Sequence, residues 1–264
     1  MSVRNERQAL VYADEGVCLH SANAIVEQLK DLLHPSISVL KIDSHYLKRE
    51  AWEDKTVVLV MGGGRCSSWD EQLESEGINK IYRYVNEGGG YIGLCAGAYF
   101  AAAESRFNTE GSPIEKKRPL AFFPGKAVGP LIQTDDYLSL SAARAAEVSC
   151  KIGGLSQIGS VYYQGGCFFD QEEDTPDVEI MSIHQSLAAR KAAAVFCKVG
   201  RGSAWLDGTH PEFKWQAILS KGSVHLFEEL VQKLSPQELF RQKVWEEIGT
   251  KMKLPMKPKY LLSI

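Results

Sequence analysis

The stretch Tyr91-Ile92-Gly93-Leu94-Cys95-Ala96-Gly97-Ala98 decides the fold. It reads as a β-strand, a Gly-x-Cys-x-Gly turn and the small-residue start of a helix. Small residues are required where a strand turns sharply into a helix, and the apex residue is held in a sparsely allowed conformation. The turn lifts the apex side chain clear of the sheet, and the helix N-terminus beneath it favours an anion. Cys95 is therefore a candidate nucleophile. The plainer alternative is a buried structural cysteine in a tight turn.

Working outward, Thr56–Met61 is apolar throughout and β-branched, as expected of a parallel strand covered on both faces. Ala9–Tyr12 and Ser38–Ile42 are shorter strands flanking a helix over Ala22–Leu33. Ser21 reads as that helix's N-cap, Ile25, Leu29, Leu32 and Leu33 as its apolar face, and Pro35 as its stop. Ile78, Ile81, Tyr82 and Val85 mark a second helix closed by Gly88-Gly89-Gly90. Alternation of this kind predicts an α/β fold, a doubly wound, mostly parallel sheet of the flavodoxin-like kind with helices on both faces.

Beyond the elbow the pattern changes. Ser105–Ser160, punctuated by Pro113, Pro119, Pro124 and Pro130, predicts an excursion of short irregular strands at the carboxyl side of the sheet. Val178–Ile183, Ala192–Val199 and Ser203–Leu206 follow, the last two joined by a hairpin turn at Gly200-Arg201-Gly202. Val224–Leu234 and Pro236–Met252 read as helices. The tail Leu254–Ile264, with Pro255 and Pro258, is expected to lie extended on the surface or on a partner, another copy or a different protein. Residues 1–234 are read as one α/β domain, with 235–264 a helix and tail on or beside it.

Composition narrows the function. The 264 residues carry a formal net charge of −3 with both signs interspersed, which gives no reason to propose nucleic acid or an anionic membrane as partner. The N-terminus lacks a signal-peptide core and no 18-residue apolar run occurs, so a cytoplasmic protein is expected. Cys18, Cys66, Cys95, Cys150, Cys167 and Cys197 are dispersed without CxxC spacing, predicting free thiols and no metal site. Gly62-Gly63-Gly64-Arg65-Cys66-Ser67 lacks the last glycine of a dinucleotide fingerprint, and no cofactor is expected. The expected partner is a small molecule.

A thiolate needs a base and a group to orient it. His20, His34, His45 and His225 read as surface or packing residues, whereas His184, at a strand end, competes for the role. His210 is better placed, in Gly208-Thr209-His210-Pro211-Glu212 after the strand Ser203–Leu206. Extended i, i+2 spacing puts Glu212 on the same side, able to hold the imidazole. N–H groups of Gly63, Gly64 and Ala96 are candidate oxyanion donors above Cys95. Tyr162-Tyr163-Gln164-Gly165-Gly166 suits either a loop closing over a small ligand or a strand end with packed tyrosines. Asp14, Glu15 and Arg65 fall on loops at carboxyl ends of strands, where such sheets bind ligands.

The elbow at Cys95 together with His210-Pro211-Glu212 resembles the class I glutamine amidotransferase superfamily, residue for residue at Cys95, His210 and Glu212. The closer resemblance is to the amidotransferase-like N-terminal domain of eukaryotic-type biotin-protein ligases and its stand-alone bacterial relatives. It is carried by Val58–Gly64, Gly93–Gly97, Leu120-Ala121-Phe122-Phe123-Pro124-Gly125 and Val161–Gly166, spanning roughly Ala9 to Glu212. The resemblance implies the fold and a Cys-His-Glu triad, and selects the pocket reading for Tyr162, Tyr163, Gln164 and Gly165, with Tyr99 beside them. Glutamine-hydrolysing members usually continue the elbow with Gln, where this chain has Ala98-Tyr99, so glutamine itself is not indicated as substrate. Gly200-Arg201-Gly202 echoes the ligase core's glycine-arginine loop only faintly and lies in the predicted hairpin, so no biotin ligation by this chain alone is expected. Three functions stay open: a cysteine-dependent amidase acting on a small amide-bearing metabolite, a non-catalytic ligand-sensing or regulatory domain, and, third, a cysteine peptidase.

Overall fold

The computed structural model describes residues 7–109, 111–132, 140–170, 175–188, 190–219 and 224–258. The first half runs β1 (Gln8–Tyr12), α1 (Leu19–Leu32), β2 (Ser38–Ile42), α2 (Ser44–Arg49), β3 (Thr56–Met61), α3 (Trp69–Asn86), β4 (Gly90–Leu94) and α4 (Ala96–Ala101). Then come β5 (Ala102–Phe107), β6 (Ile114–Lys117), β7 (Phe123–Gly129), β8 (Arg144–Ile152), β9 (Leu155–Tyr163), β10 (Phe168–Asp170), β11 (Val178–His184), β12 (Ala192–Val199) and β13 (Gly202–Asp207). Helices α5 (Trp215–Leu219), α6 (Val224–Leu234) and α7 (Glu238–Lys251) follow.

Side chains alternate across the strands and so build two cores. Leu10, Tyr12, Leu59, Met61 and Tyr91 face one side, packed under Ile78, Ile81 and Val85 of α3 and Phe100 of α4. Ala9, Val11, Val58, Val60, Ile92 and Leu94 face the other, under Ile25 and Leu29 of α1 and Trp245 and Ile248 of α7. Helices therefore cover both faces, which explains why β3 and β4 are apolar throughout rather than alternating.

The order β2-β1-β3-β4-β13 is parallel, which is the doubly wound α/β half. From β13 outward β12, β10 and β7 pair antiparallel, β5 is parallel to β7, and β6 closes the edge. β11 also pairs with β12 and leads to β8 and β9. The segment expected as an irregular excursion instead contributes regular strands. β8 and β9 form a nine-rung hairpin, and all of it belongs to the one sheet.

Two local expectations are corrected. Helix α1 begins at Leu19 with Cys18 as N-cap, so Ser21 lies inside the first turn. Tyr82 is 43% exposed, whereas Tyr84 of the same helix is buried against Trp52. The tail turns back on its own domain: the Met256 backbone bridges to Leu33, Lys257 N donates to Leu32 O and His34 N donates to Pro255 O. Residues 259–264 of that predicted tail lie outside the described residues. Among the described residues, no helix is long and apolar enough to cross a membrane. All six cysteines are free thiols.

Candidate functional site

Cys95 sits between β4 and α4 with φ +51° and ψ −104°. A non-glycine residue there stores about 1–3 kcal/mol of strain, so the surroundings must hold it. They do. Cys95 N donates to Asp207 O at 2.8 Å, and Gly97 N to Gly62 O at 3.1 Å. Gly97 has to be glycine, since a Cβ there would lie 1.9 Å from the Met61 carbonyl oxygen.

The chain past β13 delivers the base. Asp207 Oδ1 accepts from both the N–H and the hydroxyl of Thr209, shaping the turn into His210. His210 N donates to Tyr162 O, and its ring is flanked by Tyr162 and Phe213. Nδ1 of His210 lies 2.8 Å from Glu212 Oε1. Nε2 faces the other way, 3.3 Å from the Gln164 carbonyl oxygen. The Cys95 thiol donates to that same oxygen at 3.6 Å. Burial opposes charge on His210, but Glu212 and Cys95 outweigh it and hold the imidazolium well above the usual histidine range. Pro211 is fixed from outside, its carbonyl accepting from Arg241 Nη1 and Trp245 Nε1, both at 2.9 Å.

Cys95, His210 and Glu212 are thus brought together, all buried. The glycine loop is only partly as expected. Gly63 N donates to Ser21 Oγ at 3.0 Å, so this N–H is engaged and unavailable to an oxyanion. Gly63 has a different necessity, because a Cβ on it would lie 2.7 Å from His210 Cε1. The N–H groups of Gly64 and Ala96 have no protein acceptor among the described residues and remain the candidate donors.

The Tyr162–Gly166 segment lies over the thiol, but its tyrosines do not line an open pocket. The Tyr99 hydroxyl donates to Gly166 O and Gly165 O, at 3.0 and 3.3 Å. Tyr163 donates to Gly166 O at 2.8 Å and accepts from Leu131 N at 2.7 Å. These two rings are buried tethers of the loop rather than exposed substrate contacts. Tyr162 donates to Gln164 Oε1 at 2.6 Å, Gly165 is buried and Gln164 is half-buried. With this cover Cys95 is 6% exposed. Surface clefts lined by Glu53, Lys55 and Arg83, and by Gln28, Lys214 and Arg241, include none of Cys95, His210 and Glu212.

His184, the rival base, packs its ring edge against Tyr163. Burial pushes it down to about 4, against a weak main-chain contact from Cys167, so it stays neutral. Asp14 accepts from the Glu15 and Ser44 N–H groups and shapes its own loop, while Glu15 and Arg65 are exposed. Sequence reasoning missed Ser21, Asp207, Arg241 and Trp245. Ser21 donates to Glu212 Oε1 at 2.6 Å across 191 positions of chain, a contact for which the sequence around it carries no signal.

Known proteins resemble this chain at the level of family and fold. The family model described as biotin-protein ligase, N terminal, matches residues 7–261. An uncharacterized protein of Chlamydia muridarum is 32% identical over 244 residues, covering 90% of this chain and 93% of its own. A biotin–protein ligase of Schizosaccharomyces pombe is 34% identical over 212 residues, 77% of this chain but only 33% of that protein. The chain therefore spans about a third of that ligase. The structure of PurLQS from Thermotoga maritima superposes with a TM-score of 0.51 at 11% identity, covering 90% of this chain and 98% of that one, a likeness of fold alone. With the family model matched over nearly the whole described length, the chain belongs to the biotin-protein ligase N-terminal domain family, built on a class I glutamine amidotransferase-like fold.

Proposed function

We propose that this protein is a cysteine-dependent amidase acting on a small amide-bearing metabolite. The observation that carries the proposal is the 2.8 Å contact between His210 Nδ1 and Glu212 Oε1, which leaves Nε2 for the side where Cys95 sits. In the reaction, the Cys95 thiolate attacks the amide carbonyl carbon, forming a C–S bond as the carbonyl electrons move onto oxygen. N–H groups of Gly64 and Ala96 hold that oxyanion. Imidazolium Nε2–H of His210 protonates the leaving nitrogen as the C–N bond breaks, giving a thioester and a free amine or ammonia. Neutral His210 then takes a proton from water, whose oxygen attacks the thioester and releases the carboxylic acid. Glu212 holds the ring and its charge throughout.

Supply of substrate requires the Gln164 carbonyl to leave the thiol. That cover favours a second reading, a ligand-sensing domain in which the loop responds to a small molecule without turnover. A panel of small primary and secondary amides separates the two. The expected result is release of ammonia or amine by the wild-type protein and none by Cys95→Ala. Binding of panel members without release by either protein contradicts the amidase and favours the sensor.

A further inference from the structure

Glu212 uses its two oxygens unequally. Oε1 accepts from both His210 Nδ1 and the Ser21 hydroxyl, whereas buried Oε2 has no hydrogen-bond partner among the described residues. Among the described residues, Ser21 alone therefore selects which oxygen faces the imidazole. The serine is fully buried, and its own oxygen accepts from Gly63 N–H. A buried chain runs from the Gly63 N–H through Ser21 to Glu212 and His210, joining the glycine loop to the base.

We infer that Ser21 is a positioning residue of the Cys95 site, fixing the Glu212 carboxylate so that His210 Nδ1 stays bonded and Nε2 stays aimed at the thiol. This rests on the proposed Cys95–His210 chemistry. The bland alternative is that Ser21 only satisfies Gly63 N–H, which would cost stability when lost but would not touch the base. Without the hydroxyl the carboxylate is free to turn its unpartnered oxygen, the bond to Nδ1 weakens and the imidazolium loses support.

The test is the pH dependence of Cys95 alkylation by iodoacetamide, followed by peptide mapping, in wild type, Ser21→Ala, Glu212→Gln, the double variant and His210→Ala. Loop opening scales all rates together and leaves the position of each profile unchanged. Ser21→Ala is expected to be about fivefold slower at pH 7, the size of one ordinary hydrogen bond, with its profile moved to higher pH. The double variant should match Glu212→Gln alone, since Ser21 acts only through the carboxylate. An unshifted Ser21→Ala profile, or a full additional shift in the Glu212→Gln background, overturns the inference while leaving the Cys95–His210 pair standing. If His210→Ala itself leaves the profile unmoved, the underlying chemistry falls and the role of Ser21 with it.

Discussion

Among the described residues two histidines are buried, and their environments drive them in opposite directions. His210 has a carboxylate and a thiol as neighbours and is held charged; His184 has aromatic and apolar neighbours and is held neutral at about 4. Linkage gives each a pH signature. The raised His210 contributes stability fully present below the unfolded value of about 6.5 and lost as pH rises through its folded value. The depressed His184 does the reverse. Its contribution is complete above about 6.5 and is lost as pH falls toward 4, because the unfolded chain binds the extra proton first. Replacing His184 by Gln should remove roughly 3 kcal/mol of acid destabilisation between those limits, read as a flatter dependence of the urea midpoint on pH. A wild-type slope surviving the substitution would mean that His184 is not the group titrating there.

At the scale of elements, the site is a junction of four devices. The β4–α4 elbow presents the thiol, the turn after β13 presents the base, and α7 braces that turn by giving Arg241 and Trp245 to the Pro211 carbonyl. Arg241 is held in turn by Glu238 and Gln28. The fourth device is the loop after β9, which closes the site from above and is tethered by Tyr99 and Tyr163 to the Gly166 carbonyl. Tyr163→Phe removes one tether and the acceptor for Leu131 N while keeping the buried ring. It should raise the alkylation rate of Cys95 about fivefold at constant pH, as expected for one lost hydrogen bond, without moving the pH profile. An unchanged rate would show that this loop does not gate the thiol.

Across the whole molecule, what was legible in the sequence was what lies close along the chain. The elbow needs Gly93, Cys95 and Gly97 within five positions, and His210 and Glu212 are two apart, so local pattern was enough to single them out as candidates. The parallel half was legible because burial on both faces makes its strands continuously apolar. Ser21 was not, since a serine near a helix start reads as a cap, and only the folded sheet brings it to Glu212. The resemblance pointed to Tyr99 and Tyr163 as ligand contacts, and spacing does not reveal that their hydroxyls are spent on loop carbonyls. The Gly63 N–H looked free for the same reason.

The central claim is that Cys95, His210 and Glu212, brought together at the ends of the neighbouring strands β4 and β13, work as a unit. The direct test is the rate of Cys95 alkylation as a function of pH in wild type, His210→Ala, Glu212→Gln and His184→Ala. Loss of the imidazolium should move the His210→Ala profile to higher pH. Glu212→Gln should move it less in the same direction, because the carboxylate acts through the ring. His184→Ala should leave it in place. A profile that shifts with His184→Ala and not with His210→Ala, or that none of the three moves, would contradict the account and leave Cys95 a structural residue in a strained turn.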